Sequence, residues 1–142
     1  MIRLIYASRA RQALPLDLKD ILAVSRRKNL KANITGALCF LDGVYLQYLE
    51  GETFGLEDLY RKIIKDPRHS DARLLERKKI TERLFNSWSM ALVTWDDQTR
   101  AIFEAFNGQI QPDLHAIDPL NAAVTFEALA RSSNWLEVGK PN

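Results

Sequence analysis

The chain has 142 residues, 46% apolar and 27% charged, with 20 basic and 18 acidic side chains and a formal net charge of +2. That length suits one domain with its own core, and the composition excludes a disordered tail. So even a charge balance gives no sign of a nucleic-acid or membrane-surface partner, and none is expected. No window of about 18 apolar residues occurs, which excludes a membrane-spanning helix. The N-terminus "MIRLIYAS" enters a strand pattern at once, so no secretory leader is expected. Cys39 is the sole cysteine, which excludes an internal disulfide and a cysteine metal cluster. A cytoplasmic location is the expectation.

"IRLIYAS" (2–8) reads as a strand, with Leu4, Tyr6 and Ser8 on one face and Arg3, Ile5 and Ala7 on the other. Leu14, Leu18, Ile21, Leu22 and Ser25 then form a helical stripe, with Pro15 near its start. "SRRKN" (25–29) places three cations in that helix's last turn, where the macrodipole favours them. "ITGALCFLDG" and "VYLQYLEG" (34–51) read as a hairpin turning at Asp42-Gly43. A second helix covers 52–67, with Thr53 as N-cap, a stripe of Leu56, Leu59, Tyr60, Ile63 and Ile64, and Pro67 as its stop. "ARLLERKKIT" (72–81) and "SWSMALVTW" (87–95) read as two more strands, the first charged enough for a sheet edge.

The order β-α-β-β-α-β-β predicts an α+β, ferredoxin-like sandwich with both helices on one face of the sheet. Two further helices are predicted: 96–108, ending at Gly108, and 118–133, with Asp118 as cap and Pro119 in its first position. Leu120, Val124 and Ala128, with Phe126 and Leu129, are the predicted apolar positions of the last helix. Packed on the open face of the sheet, these helices would hide apolar residues otherwise left in water. Residues 1–95 and 96–142 are therefore taken as one domain and its extension.

No phosphate loop or nucleophile elbow is present, and His69 and His115 lack metal-type spacing. What remains is a set of polar groups at core-facing places. Tyr6 and Gln47 fall on strands expected to be neighbours, and Asn29 falls where the first helix ends. A cleft between the helices, walled by Ile21 and Ile63, would suit a flat aromatic ligand with a polar edge. Arg68 and His69 in "KDPRH" would suit its phosphate tail. Taken singly, each residue has an ordinary alternative: a helix-ending Asn, a solvent-facing Gln, a core Tyr, a surface turn. Spacing alone leaves both readings open.

The stretches "RLIYAS", "DLKDIL", "NITGALCF", "YLQYLEGE", "LYRKIIKDPRH" and "NSWSMALV" together resemble the BLUF domain, a flavin-binding sensor of blue light, over residues 2 to about 94. The tail resembles that of short, stand-alone members. The resemblance implies non-covalent FAD, or FMN, between the helices. It implies that Tyr6 is the photoactive tyrosine, Gln47 the switching glutamine and Asn29 the holder of the flavin's pyrimidine edge. Ser8, Lys62, Asp66, Arg68 and His69 fall near the ring, ribityl or phosphate, and Trp88 and Met90 at signalling positions. Lys28 departs from the Asn or His often found there, and Asn33 from a frequent Gly.

The implied chemistry is proton-coupled electron transfer from Tyr6, followed by a rotamer or tautomer change at Gln47 that alters its bonds to the flavin and shifts absorption to the red. The signal would pass through the last strand and the tail helices to a protein partner or an assembly state, with a homo-oligomer expected and no substrate turned over. The alternative is a ferredoxin-like module that binds another small metabolite without photochemistry. An acylphosphatase-type hydrolase ranks lower, because "SRARQ" (8–12) lacks a glycine-rich cradle.

Overall fold

The computed structural model of the chain describes residues 1–11, 15–86, 89–108, 112–131 and 135–137, and of 15–21, 24, 136 and 137 only the backbone. The elements run β1 (Ile2–Ala10), α1 (Pro15–Lys31), β2 (Thr35–Leu41), β3 (Val44–Gly51), α2 (Thr53–Lys65), β4 (His69–Lys79), β5 (Ala91–Val93), α3 (Asp97–Asn107), α4 (Pro119–Arg131) and β6 (Trp135–Glu137). A 3-10 turn, Leu114–Ala116, lies between α3 and α4. The strands form one sheet in the order β4-β1-β3-β2-β5-β6. β5 joins β2 in parallel, and the other pairings are antiparallel. The α+β sandwich read from the sequence is the observed one, with β4 at the edge.

Local chemistry explains the joints. Asp42 (φ 53°) and Gly43 (φ 75°) both lie in the left-handed region, as a two-residue hairpin turn requires. Asn33 takes φ 55° before β2, a conformation its short polar side chain tolerates. A Cβ on Gly36 would sit 2.1 Å from the Tyr48 carbonyl oxygen, so only glycine lets β2 approach β3 there. Asp96 caps α3 by accepting from the Thr99 N–H at 2.9 Å. Asp118 accepts from the Leu120 N–H at 3.0 Å at the start of α4.

β3 is buried along its whole length because the sheet is covered on both faces. On one face Leu4, Tyr6, Leu38, Tyr45 and Leu49 pack with Leu22 of α1 and Leu56 of α2. On the other, Ile5, Ala7, Cys39, Leu46 and Tyr48 pack with Phe103 of α3 and Phe126 and Leu129 of α4. Period-two alternation in β1 and β3 sends neighbouring residues to opposite cores. The tail helices thus cover the open face as expected. Trp95 and Trp135 turn inward too, their indoles donating to the carbonyls of Phe40 (2.7 Å) and Leu129 (2.8 Å).

Several expectations need correction. Thr53 is inside α2, not its cap; Glu52 holds the cap position with no side-chain bond. Of the final strand predicted over 87–95, residues 87 and 88 lie outside the described residues, and among the rest only Ala91–Val93 is strand, with Ser89 and Met90 bonded to Asn29 and Gln47 instead. β4 starts earlier than expected, at His69. α1 runs on to Lys31, so Lys28 and Lys31 are the cations of its last turn. In α4, Leu120 and Val124 face outward at 86% and 39% exposure, while Ala122, Thr125, Phe126 and Leu129 are buried. The larger aliphatics share a stripe, but Phe126 with small residues beside it fits the sheet more closely. β6 was not foreseen.

Candidate functional site

A cleft of about 530 Å³ opens between α1 and α2, with the sheet as its floor. That lies within the roughly 300–1,000 Å³ usual for small-molecule sites. Leu22 of α1 and Leu59 and Ile63 of α2 wall it, and Tyr6, Tyr45, Gln47 and Met90 floor it. Ile21 lies on α1, but its side chain is outside the described residues.

Tyr6 and Gln47 are direct partners across the β1–β3 ladder. The Tyr6 hydroxyl donates to Gln47 Oε1. Gln47 Nε2 donates to Met90 Sδ at 3.2 Å. Asn29, on the inner side of α1, donates through Nδ2 to the Ser89 carbonyl at 3.1 Å. Both amides are buried. An amide has two N–H groups and an acceptor oxygen, so these bonds leave capacity for the polar edge of a ligand. Burial pushes the pKa of the Tyr6 phenol far up, with Tyr60, Tyr45 and Asp66 adding to it, so the phenol keeps its proton in the resting protein. The Tyr60 ring lies 5.4 Å from that of Tyr6.

The mouth is cationic. Lys28 and Lys31 stand on the α1 side, and Lys62 and Arg68 on the α2 side. Lys62 is paired with Asp58 at 3.1 Å. Asp66 accepts from the Arg68 guanidinium and backbone, and the Arg68 side-chain bonds hold its carboxyl at about 2. His69 packs against Tyr45 with 4.9 Å between centroids and the rings tilted by 46°, and shares a 2.8 Å bond with Ser8 through Nδ1. Burial pushes the His69 imidazolium pKa down, favouring the neutral ring.

The structure therefore gathers Tyr6, Lys28, Asn29, Gln47, Lys62, Ile63, Asp66, Arg68, His69 and Met90 around one cleft. Ser8 is fully buried behind His69 rather than on the lining. Trp88 lies outside the described residues. Sequence reading missed Tyr45, although its alternation with Gln47 and Leu49 placed it on the cleft face. It also missed the Ser89 carbonyl, a backbone atom that carries no residue-type signal.

These features define a ferredoxin-like α+β module with a flat-ligand cleft, amides at its floor and cations at its mouth. Residues 1–91 match the family model BLUF, "sensors of blue-light using FAD". The chain belongs to the BLUF family. Over 93 residues it is 36% identical to photoactivated adenylate cyclase subunit beta of Euglena longa, covering 64% of this chain and 11% of that protein. The solved structure of BlsA in its photo-activated state is 31% identical with a TM-score of 0.83, covering 94% of this chain and 96% of that one. The dark-state structure of the BLUF protein BlrB is 32% identical with a TM-score of 0.72, covering 91% and 95%.

The family's cofactor is FAD, and the residues present fit a flavin. Aliphatic walls suit the ring, the Asn29 and Gln47 amides suit its pyrimidine edge, and the rim cations suit phosphate, whether of FAD or FMN. The family is one of sensors, in keeping with the non-enzymatic reading. No described helix is long and apolar enough to cross a membrane.

Proposed function

We propose that this chain is a blue-light switch in which Tyr6 and Gln47 form the photoactive pair and Met90 begins the output. The observation that carries the proposal is the buried chain from Tyr6 Oη–H to Gln47 Oε1 and from Gln47 Nε2–H to Met90 Sδ. A bound flavin supplies blue absorption and a one-electron oxidising excited state. Asn29 and Gln47 would orient it, Leu22 and Ile63 would exclude water, Lys28, Lys62, Arg68 and His69 would hold its phosphate end, and Asp66 fixes Arg68.

Tyr6 is the adjacent one-electron donor. Because burial so disfavours a charged ring, its electron leaves together with its proton. The proton's path is the hydrogen bond to Gln47 Oε1. When electron and proton return, the Gln47 amide is left rotated by half a turn or tautomerised. After a half-turn, Nε2–H faces the phenol and Oε1 faces Met90 Sδ, which has no hydrogen to give. The contact that held Met90 is lost.

Met90 directly precedes β5, whose Val93 pairs with Trp135 of β6. Trp135 in turn bonds to Leu129 of α4. A local hydrogen-bond change thereby biases two arrangements of the sheet end and the tail, with Trp88 and Met90 as signalling residues. Residues 1–95 act as the flavin module and 96–142 as its extension. The signal then leaves to a partner protein or a change of homo-oligomeric state in the cytoplasm.

The test is the absorption spectrum of the flavin-loaded protein before and after a blue pulse. The natural protein is expected to shift to the red and recover. Tyr6→Phe and Gln47→Leu are expected to stay yellow without shifting. A normal shift in either variant removes that residue from the switch, and a colourless protein favours a module for another metabolite.

A further inference from the structure

Glu50 is a fully buried carboxylate that the switch above does not use. It follows Gln47 by three places on β3, so its side chain leaves the opposite face of the sheet, beside Tyr48. Its carboxylate accepts from the Leu84 N–H at 2.5 Å, the Phe85 N–H at 3.2 Å and the Thr35 hydroxyl at 3.2 Å. Arg83 closes the arrangement. Its guanidinium donates to Thr35 Oγ1 (2.8 Å), to the Glu50 carbonyl (3.2 Å) and to the Asn33 carbonyl (2.7 Å). Phe85, so held, packs against Tyr48 and Trp135.

Residues 80–90 connect β4 to β5. One part of this connection is fixed to the ends of β2 and β3, residues 84–85 by the Glu50 carboxylate and Arg83 by its own guanidinium. The other part, at Ser89 and Met90, is bonded to Asn29 and Gln47, the two amides of the cleft floor. A buried carboxylate that accepts three donors resists displacement, because moving it leaves an uncompensated charge.

We propose that Glu50 is a positioning residue of the switch. It holds residues 84–85 still, so that displacement at Ser89–Met90 passes into β5, β6 and the tail instead of being absorbed by the connection. This rests on the Gln47-to-Met90 relay described above.

Glu50→Gln keeps the shape and removes the charge. One side-chain oxygen accepts from Leu84 and the other from Phe85 and Thr35, so an amide in either orientation sets an N–H against a donor. The experiment is hydrogen–deuterium exchange of the flavin-loaded protein, dark and lit, read at 91–93 and 119–131. Glu50→Gln is expected to keep the full red shift while the lit-minus-dark difference in the tail falls at least ~fivefold, since exchange reports local opening. A merely structural role raises tail exchange equally in dark and light and leaves that difference intact; this result overturns the proposal.

If Glu50→Gln does not fold, Arg83→Ala, altering a half-buried side chain of the same anchor, is expected to lose the difference too. A folded Arg83→Ala with an undiminished difference overturns the proposal. If the natural protein shifts to the red yet shows no tail difference, the relay itself falls, an outcome distinct from failure of the Glu50 role.

Discussion

Met90→Leu isolates the sulfur's part in the switch. Met90 is buried, and leucine is close to it in volume, so repacking should cost less than about 1.5 kcal/mol. What the variant removes is the acceptor of the Gln47 Nε2–H, at 3.2 Å. A thioether is a weak acceptor, so the bond belongs at the low end of the hydrogen-bond range, ~0.5–1 kcal/mol. This bond exists in the arrangement with Oε1 on Tyr6 and is absent after the half-turn. Its loss therefore moves the balance towards the switched form by ~2–5-fold and slows dark recovery by up to the same factor. The assay is relaxation of the red-shifted absorbance after a blue pulse, with urea unfolding run alongside to confirm an intact fold. Equal or faster recovery at matched stability would refute the view that the Nε2–Sδ bond stabilises the resting orientation.

Gly36→Ala should lower stability by ~3 kcal/mol or more, because the new Cβ meets the Tyr48 carbonyl at 2.1 Å and the central strands must part; a urea midpoint within error of the parent would show that β2 can shift freely. Asp96→Ala removes the oxygen that accepts from the Thr99 N–H and should cost about 1 kcal/mol, read from the same unfolding curves. Stability of the flavin-free protein should fall with acid. His69 has a depressed folded pKa, so the unfolded chain binds the extra proton; its contribution to stability is complete above about 6.5 and is lost as pH falls through the folded value. His69→Gln should flatten that limb of a stability-versus-pH curve, and an unchanged slope would mean that another group produces it. Asp66, also depressed, to about 2, adds a further loss with the same sign at more acid pH.

The parts of the fold that were legible are those whose causes are local. Alternation in β1 assigned Tyr6 and Ile5 to opposite faces, and that is where the two cores put them. Asp42-Gly43 announced its turn because few residues accept positive φ. Asp118-Pro119 announced a helix start through the orphan N–H groups they satisfy or avoid. The Tyr6–Gln47 pair follows from the strand order that the β-α-β-β-α-β-β pattern predicts. What was illegible depends on partners distant in sequence. β6 has too few residues to show a period and exists because β5 offers it an edge. On α4 the pattern places Phe126 and Leu129 correctly but turns Leu120 and Val124 inward, because they carry more hydropathy than Ala122 and Thr125, whereas packing rewards the fit around Phe126. Glu50 carries no signal in the sequence, since its donors at Leu84 and Phe85 are backbone groups.

The sheet also dictates which way a signal can leave the cleft. Gln47 sits on β3, which is laddered to β1 along nearly its whole length and to β2 from Val44 to Glu50. Shifting β3 would loosen both ladders and disturb the two cores it separates, a cost that a single amide rearrangement cannot meet. β5 is different. It spans only Ala91–Val93 and registers with β2 at Ala37–Ala91 and Leu38–Leu92 alone. It also carries Met90 at its entrance and Trp135 beside its last residue. The least restrained strand in contact with the switch is thus the one that touches the tail. A small hydrogen-bond free energy moves the element with the fewest bonds to break, so in the switch proposed above the short strand, and not the central one that bears Gln47, carries the output.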